Sequence, residues 1–188
     1  MRILVLDNHD SFVFNLVHYL EAFGHEVIVK RPISVSEIDI SIYDKIVLSP
    51  GPGLPNEVPE LMLALKLWHK FKPILGVCLG HQAIGLFFGA ELKNLAQVTH
   101  GVSTPIKILN PQDQLFQNLP DSIEVARYHS WSIAPQSLPQ ELECTAIDHH
   151  GVIMTIRHNT LPIHGIQFHP ESILTPLGRK IIQNWLEA

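Results

Sequence analysis

Short apolar runs alternate with helical patterns through the first half of the chain, and this alternation constrains the fold more than any other feature. Runs with the length of a strand occur at Arg2–Leu6, Glu26–Lys30, Lys45–Leu48 and Ile74–Val77. Apolar residues recur at helical spacing in Phe12–Phe23, Pro59–Trp68 and His81–Phe88. Strands that alternate with helices predict a parallel sheet with helices on both faces.

The second half of the sequence is richer in strands. Short runs separated by turns predict strands at Ile106–Leu109, Ile123–Tyr128, Glu143–Asp148, Val152–Arg157 and Ile163–Phe168, followed by an amphipathic helix at Thr175–Leu186. We therefore expect an α/β fold with an open, mixed, mainly parallel sheet, flanked by helices and partly antiparallel in its second half. With 188 residues, 46% of them hydrophobic, and no linker or repeat, residues 1–188 are expected to form a single domain.

Composition argues against several classes of partner. The net charge is −5, and the 13 Lys and Arg residues are spread along the chain without the basic clusters that bind nucleic acid. No apolar run approaches the roughly 20 residues of a membrane span. The N-terminus enters a strand pattern at once rather than a signal-peptide pattern. We expect a cytoplasmic protein with neither nucleic acid nor a membrane as partner.

The cysteines and histidines do not predict a metal site. Cys78 and Cys144 are read as free thiols, because a lone disulfide is uncommon in a chain without export signals. The 12 histidines are scattered and do not form a pair at metal-ligand spacing. No metal and no other cofactor is expected.

One strand runs directly into a cysteine turn. Pro73–Gln82 reads as an apolar strand, the pattern Gly-x-Cys-x-Gly and the start of a helix, which is the arrangement of a nucleophile elbow. The flanking glycines allow a sharp turn, and the helix N-terminus favours the thiolate of Cys78 and offers the backbone N–H of Leu79 to an oxyanion. Alternatively, Cys78 is a buried structural thiol and the glycines only permit close packing.

A candidate base follows a later strand, in the segment Ile166–Glu171. His169 and Glu171 are two residues apart, so in extended backbone both side chains point to the same face, and Pro170 disfavours helix at His169. A carboxylate beside an imidazole fixes its tautomer and stabilises the imidazolium. Taken singly, His169 could be a surface histidine and Glu171 a solvated charge.

A Pro-Gly loop follows the third strand, at the same edge of the predicted sheet. Ser49–Gly53 has the sequence Ser-Pro-Gly-Pro-Gly, which could be no more than a stiff turn. Beside the elbow, it is also placed to bring backbone N–H groups, including that of Gly53, towards an oxyanion or a substrate carbonyl.

Together these motifs resemble the class I, or triad, glutamine amidotransferases, which share a flavodoxin-like fold, and more narrowly the small subunits of anthranilate synthase and aminodeoxychorismate synthase. The resemblance spans nearly the whole chain. It rests on Leu6–Phe12, Ser49–Gly53, Cys78–Gln82, Arg127–Ser130 and His169–Leu174.

The resemblance implies the catalytic triad Cys78, His169 and Glu171, an oxyanion hole from Gly53 and Leu79, and no cofactor. L-Glutamine would be bound by the residues Gly51, Pro52, Gly53, Gln82, Ser130 and Trp131. The family usually has Leu where this chain has Trp131. Thr99–Gly101 resembles a segment near the synthase interface, where Lys often follows instead of Val102.

The implied activity is hydrolysis of glutamine to glutamate, with ammonia delivered to a large chorismate-binding synthase subunit in a hetero-oligomer. That subunit would make either anthranilate or aminodeoxychorismate. Two alternatives remain open. One is a cysteine hydrolase or peptidase built on the same elbow, and the other is a catalytically silent regulatory or binding subunit of the same fold.

Overall fold

The computed structural model describes residues 1–33, 35–95 and 101–188 with their side chains, and residues 34 and 96–100 only as members of a helix or strand. The strands are β1 (Arg2–Leu6), β2 (Glu26–Lys30), β3 (Lys45–Leu48), β4 (Ile74–Val77), β5 (Leu92–Ile108), β6 (Ser122–Ile133), β7 (Leu142–Asp148), β8 (Ile153–His158) and β9 (Ile163–Ile166). The α-helices are α1 (Val13–Ala22), α2 (Pro59–Trp68), α3 (Leu79–Phe87) and α4 (Gly178–Leu186).

The nine strands form one sheet in the order β2-β1-β3-β4-β9-β8-β7-β5-β6. The first five strands in this order run parallel, and the remaining four pairings are antiparallel. The predicted mixed α/β sheet with a strand-rich, partly antiparallel second half is therefore confirmed, with parallel pairing confined to one side of the sheet.

Helices cover both faces of the sheet, as the alternating pattern predicts. On one face, Val5 and Leu16 belong to a core that also holds Trp185 of α4, so α1 and α4 pack there. On the other face, Leu48 packs in a second core with Leu65 of α2 and further apolar residues of α3. The strands between these layers alternate their side chains into the two cores, which explains why β1, β3 and β4 read as continuous apolar runs.

Most predicted elements of the first half have the predicted bounds, whereas the second half departs from prediction in two long strands. β6 continues to Ile133, beyond the predicted end at Tyr128. The sequence predicts only Ile106–Leu109 where β5 begins at Leu92. Register shifts, the mark of β-bulges, interrupt its pairing with β6. A bulge breaks the alternation of inward and outward residues, so the two-residue period that identifies a strand is lost there.

The topology brings four loops together. In the parallel part of the sheet, β1, β3, β4 and β9 are successive neighbours, so their carboxyl ends meet at one edge, where ligand crevices form in open α/β sheets. The cysteine turn follows β4, in the middle of this group. In the described part of the chain, no helix is long and apolar enough to cross a membrane.

Candidate active site

Cys78 occupies a strained turn between β4 and α3. Its backbone has φ 50° and ψ −99°, a left-handed conformation that a residue with a Cβ rarely adopts. A Cβ at Gly76 would lie 2.4 Å from the carbonyl oxygen of Gly80, and one at Gly80 would lie 2.4 Å from that of Leu48. Both glycines are therefore required sterically, because the strand and the helix approach more closely than any side chain allows.

His169 and Glu171 form a buried pair after β9. Nδ1 of His169 lies 2.7 Å from Oε1 of Glu171, so Nδ1–H donates to the carboxylate and leaves Nε2 available for the sulfur of Cys78. Burial lowers the pKa of His169, but interactions with Cys78 and Glu171 outweigh burial and raise it well above the ordinary 6.5. The arrangement suits an imidazole that receives a thiol proton.

A threonine hydroxyl fixes the backbone of His169. Thr175 Oγ1 donates to the carbonyl of His169 at 2.7 Å and accepts from the backbone N–H of Ala126 at 2.9 Å. The N–H of His169 in turn donates to the carbonyl of Ala126 at 3.0 Å. The predicted site does not include Thr175, although its position shortly after the His-Pro-Glu segment is a weak signal for such a cap.

The Ser49–Gly53 loop is locked against its neighbours. Asn8 donates from its side chain to the carbonyl of Ser49 and from its backbone to the hydroxyl of Ser49, each at 2.9 Å. A Cβ at Gly51 would lie 2.6 Å from Cβ of Asn8 and 2.7 Å from a methyl group of Leu79. Gly53 has φ 74°. This rigid loop packs against Leu79, the first residue of α3.

A small open cavity of about 160 Å³ lies over the sulfur of Cys78. It is lined by Gly51, Pro52, Gly53, Cys78, Leu79, Gln82, Tyr128, His129, Ser130 and Trp131. All the residues predicted to bind glutamine therefore border one cavity, together with both predicted oxyanion donors. Tyr128 and His129, which are not among the predicted site residues, complete the wall, while His169 and Glu171 are not part of this lining.

A glutamine that the predicted site does not include lies beside the sulfur. Gln167 is fully buried, and its Nε2 lies 3.7 Å from Sγ of Cys78. Its Oε1 accepts a hydrogen bond of 3.2 Å from Nε2 of Gln82. A signal is present in the sequence, because Gln167 is two residues before His169 and so shares its face in extended backbone.

Val102 directly follows the segment that the resemblance places near a synthase partner. Val102 is 49% exposed, one of several isolated apolar residues at the surface of the described chain. The side chains of Thr99 and His100, which belong to the predicted partner-facing segment, lie outside the described residues. Among the described side chains, no group of three or more His, Cys, Asp or Glu is arranged to hold a metal ion.

Comparison with known proteins gives the family. The model of the family "Glutamine amidotransferase class-I" matches residues 4–188. The chain belongs to the class I glutamine amidotransferases. This agrees with a fold in which the elbow, the His-Glu pair and the Pro-Gly loop meet at one edge of the sheet.

Relatives with two related names resemble the chain over nearly its whole length. Anthranilate synthase component 2 of Mycobacterium tuberculosis (strain H37Rv) is 46% identical, over 99% of this chain and 82% of the relative. Aminodeoxychorismate synthase component 2 of Escherichia coli (strain K12) is 40% identical, over 98% of each chain. Aminodeoxychorismate/anthranilate synthase component 2 of Bacillus subtilis is 41% identical, over 99% of this chain and 96% of the relative.

A solved structure resembles the fold throughout. A Thermoplasma acidophilum protein, provisionally described as part of a GMP synthase, has a TM-score of 0.88 and 28% sequence identity. The match covers 100% of this chain and 92% of that one. The likeness extends across the antiparallel half of the sheet as well as the parallel half.

Proposed function

We propose that this chain is the single-domain glutaminase subunit of a chorismate-aminating synthase, hydrolysing glutamine to glutamate and passing ammonia to a large partner subunit. The observation that carries the proposal is the position of Cys78. Its sulfur lies at a strained helix N-terminus, beside a buried imidazole that a carboxylate holds at 2.7 Å. A structural thiol needs none of these features.

In the first half of the proposed reaction, His169 takes the thiol proton of Cys78. The thiolate then attacks the side-chain carbonyl carbon of glutamine and forms a C–S bond. The backbone N–H groups of Gly53 and Leu79 hold the oxyanion. When the C–N bond breaks, the imidazolium of His169 gives its proton to the leaving ammonia, and a thioester remains.

In the second half, a water molecule hydrolyses the thioester. His169 accepts a proton from the water as it attacks the thioester carbon. The C–S bond then breaks, glutamate leaves, and the imidazolium of His169 returns its proton to the sulfur of Cys78. Glu171 keeps the imidazole oriented and stabilises its charged form in both halves. Every step uses groups of the chain itself, so the mechanism requires no cofactor.

The size and lining of the cavity support a small amide as the substrate. A volume of about 160 Å³ is below the ~300 Å³ at which sites for drug-sized ligands begin. Gly51, Ser130 and Trp131 border the cavity, and free backbone groups at such positions can bind the α-amino and α-carboxylate groups of an amino acid. A peptidase needs an open groove instead.

The synthase partner rests on the relatives. Proteins named component 2 of anthranilate synthase and of aminodeoxychorismate synthase are 46% and 40% identical to this chain. These relatives support a large, chorismate-binding subunit that accepts the ammonia. We propose a hetero-oligomer of the two subunits, in which neither nucleic acid nor a membrane takes part. Either product, or both, is compatible with this assignment.

The experiment compares Cys78→Ser with Cys144→Ser in the complex with the large subunit. The hydroxyl of the Cys78→Ser variant is a far weaker nucleophile than a thiolate, so synthesis from glutamine should be abolished while synthesis from added ammonia continues. Cys144 is the matched control, because its thiol lies outside the cavity and burial, the largest cause, raises its pKa to about 11.

Cys144→Ser should use both glutamine and ammonia like the wild type. Glutamine-dependent synthesis that survives Cys78→Ser would overturn the mechanism. Identifying the aminated product by chromatography and mass spectrometry in the same assay assigns the branch. If glutamine is hydrolysed but no aminated chorismate derivative is formed, the proposed synthase partner is wrong. The proposed glutaminase activity would stand.

A further inference from the structure

We propose that Gln167 is a positioning residue for the nucleophile, and that a chain of hydrogen bonds beginning at Asp148 fixes the orientation in which its amide meets the sulfur. This inference rests on the function proposed above. It concerns a residue that is outside the lining of the cavity and has no proton-transfer role in the proposed reaction.

The contact itself is buried. Gln167 is fully buried, and its Nε2 approaches Sγ of Cys78 to 3.7 Å. An amide N–H can only donate to the sulfur, whether the sulfur carries a proton or a charge. A donor stabilises a thiolate more than a thiol, because hydrogen bonds to charged acceptors are stronger than those to neutral ones.

The neighbouring glutamine forces this orientation of the amide. Nε2 of Gln82 donates to the carbonyl of Trp131 at 2.9 Å, and a carbonyl can only accept. The same Nε2 lies 3.2 Å from the side-chain oxygen of Gln167. Gln167 must therefore turn its oxygen towards Gln82, and its NH₂ group remains for the sulfur. The opposite rotamer would set two donors against each other.

The carbonyl of Trp131 is held in turn by His129. Nδ1 of His129 lies 2.9 Å from this carbonyl and must donate to it. The other ring nitrogen, Nε2, accepts from Nε of Arg127 at 3.3 Å, and a guanidinium can only donate. One neutral tautomer of His129 satisfies both neighbours.

The chain begins at a buried ion pair. The guanidinium of Arg127 binds Oδ2 of Asp148, and both side chains are almost completely shielded from solvent. The other oxygen of Asp148 accepts from the backbone N–H groups of His150 and Val152, each at 2.8 Å. Asp148 is therefore fixed by the turn between β7 and β8. Its position in turn fixes the orientation of each later group in the series of hydrogen bonds that ends at Gln167.

The electrostatics keep His129 in the required form. Burial, followed by the positive charge of Arg127, lowers the pKa of His129 to about 4. The ring is therefore neutral in the pH range of ordinary assays. If the ring were protonated, Nε2 of His129 would be a donor facing the donor of Arg127, and the series of hydrogen bonds would be interrupted there.

The experiment measures how fast iodoacetamide alkylates Cys78 at a series of pH values. It uses the full chain with Cys144→Ser, so that all label on cysteine reports the elbow. Gln167→Met keeps the length of the side chain and removes the donor, and Gln167→Glu replaces the donor with a negative charge. Circular dichroism and thermal unfolding check that each variant is folded.

Gln167→Met should alkylate about tenfold more slowly at pH 7, the loss expected for one hydrogen bond to a charged group. Its profile of alkylation rate against pH should move to higher pH by about one unit. The profile of Gln167→Glu should move further in the same direction. Asp148→Asn should move the profile in the same direction by less, because the lost orientation of Gln167 is partly offset by the unpaired charge of Arg127, which favours a thiolate. A role in packing alone would lower stability without moving the profile.

Apart from the charge that Asp148→Asn removes, these variants leave the other charged and titratable groups near the sulfur unchanged. They are His169 with Glu171, and His129 with the Arg127–Asp148 pair. A displaced profile in Gln167→Met therefore reports the lost donor. If that variant does not fold, Gln82→Met, which removes the group that orients Gln167, carries the same expectation.

Two failures can be told apart. If Cys78 of the parent protein reacts no faster than an unstructured cysteine peptide, the proposed function is wrong. If Cys78 reacts faster but the folded variants keep the parent profile, the role of Gln167 is overturned and the proposed function stands.

Discussion

The imidazole of His169 and the carboxylate of Glu171 lie 2.7 Å apart, although the two residues are separated by a single proline. The sequence predicts extended backbone here, but Pro170 and Glu171 lie in a turn that a 3.3 Å hydrogen bond from the N–H of Ser172 to the carbonyl of His169 closes. The beginning of α4 packs against this segment. A Cβ at Gly178 would lie 1.8 Å from the carbonyl oxygen of Pro170. Close backbone packing against the first residue of α4 therefore holds the segment that carries the pair.

Removing the charge of Glu171 should slow glutamine hydrolysis. Glu171→Gln keeps the shape but cannot stabilise the imidazolium of His169, so we expect kcat to fall by about a hundredfold or more. The control is Glu143→Gln, which removes an ion pair with Arg157 of the same 2.7 Å length outside the cavity. Steady-state kinetics check this, and an unchanged kcat in Glu171→Gln would remove Glu171 from the mechanism.

A methyl group at Gly80 should collapse the elbow. Its Cβ would lie 2.4 Å from the carbonyl oxygen of Leu48. Leu48 belongs to β3, which is paired on both sides and cannot move away. We expect Gly80→Ala to lose at least about 3 kcal/mol of unfolding free energy. Gly151→Ala is the control, because its Cβ has open space and only the φ of 72° opposes it, which costs about 1–2 kcal/mol.

Urea denaturation of the two glycine variants measures both values. Equal losses in Gly80→Ala and Gly151→Ala would show that backbone conformation, rather than the close approach of α3 and β3, accounts for the effect.

The hydroxyl of Thr175 should matter to turnover through His169. Thr175→Val leaves the buried N–H of Ala126 without its hydroxyl acceptor and removes one of the two hydrogen bonds to the carbonyl of His169, which keeps the N–H of Ser172. We expect a loss of about 1–3 kcal/mol of stability. We also expect a lower kcat with little change in KM, because the cavity is untouched. Thr175→Ser restores the hydroxyl and should recover most of the activity. No recovery would refute the bridging role.

Two buried histidines predict a loss of stability in weak acid. Burial, the main cause in both, lowers the pKa of His81 to about 3 and that of His129 to about 4. Below the ordinary value of 6.5 the unfolded chain binds more protons than the folded chain, so the free energy of unfolding falls as pH falls. The slope is at most about 1.4 kcal/mol per pH unit for each histidine.

Urea denaturation between about pH 7 and pH 5 measures this slope. The contribution of His169 has the opposite sign, because its pKa is raised. That contribution is fully present below the unfolded value of 6.5 and is lost as pH rises above it, so it opposes the slope of the two buried histidines only at the upper end of the window. His81→Gln should flatten the slope, and stability that is constant or rises on acidification would contradict the assignment.

The parallel half of the fold was predictable because its elements are locally defined. α2 and β4 have the predicted bounds, since Pro59 begins the helix and a run of apolar residues marks the strand. α3 begins at Leu79, two residues before the predicted His81, because the elbow places Cys78 at the N-cap. Local sequence propensity does not predict a positive φ at a cysteine.

The hydrogen-bond network of the site was not predictable from the sequence. Gln82 meets Trp131 and Gln167 across 49 and 85 residues of chain, and no periodicity relates positions that only the sheet order brings together. The motifs around Cys78 and His169 could be identified because each lies directly after an apolar strand. Residues that orient these groups carry no comparable local signal.

The most direct test of the central claim is covalent labelling with a glutamine analogue whose side chain carries an electrophilic ketone in place of the amide. Peptide mapping by mass spectrometry should find one equivalent on Cys78, none on Cys144, and protection by excess glutamine. Label on another residue, or a Cys78 that stays unmodified while glutamine is hydrolysed, would contradict the assignment of Cys78 as the nucleophile.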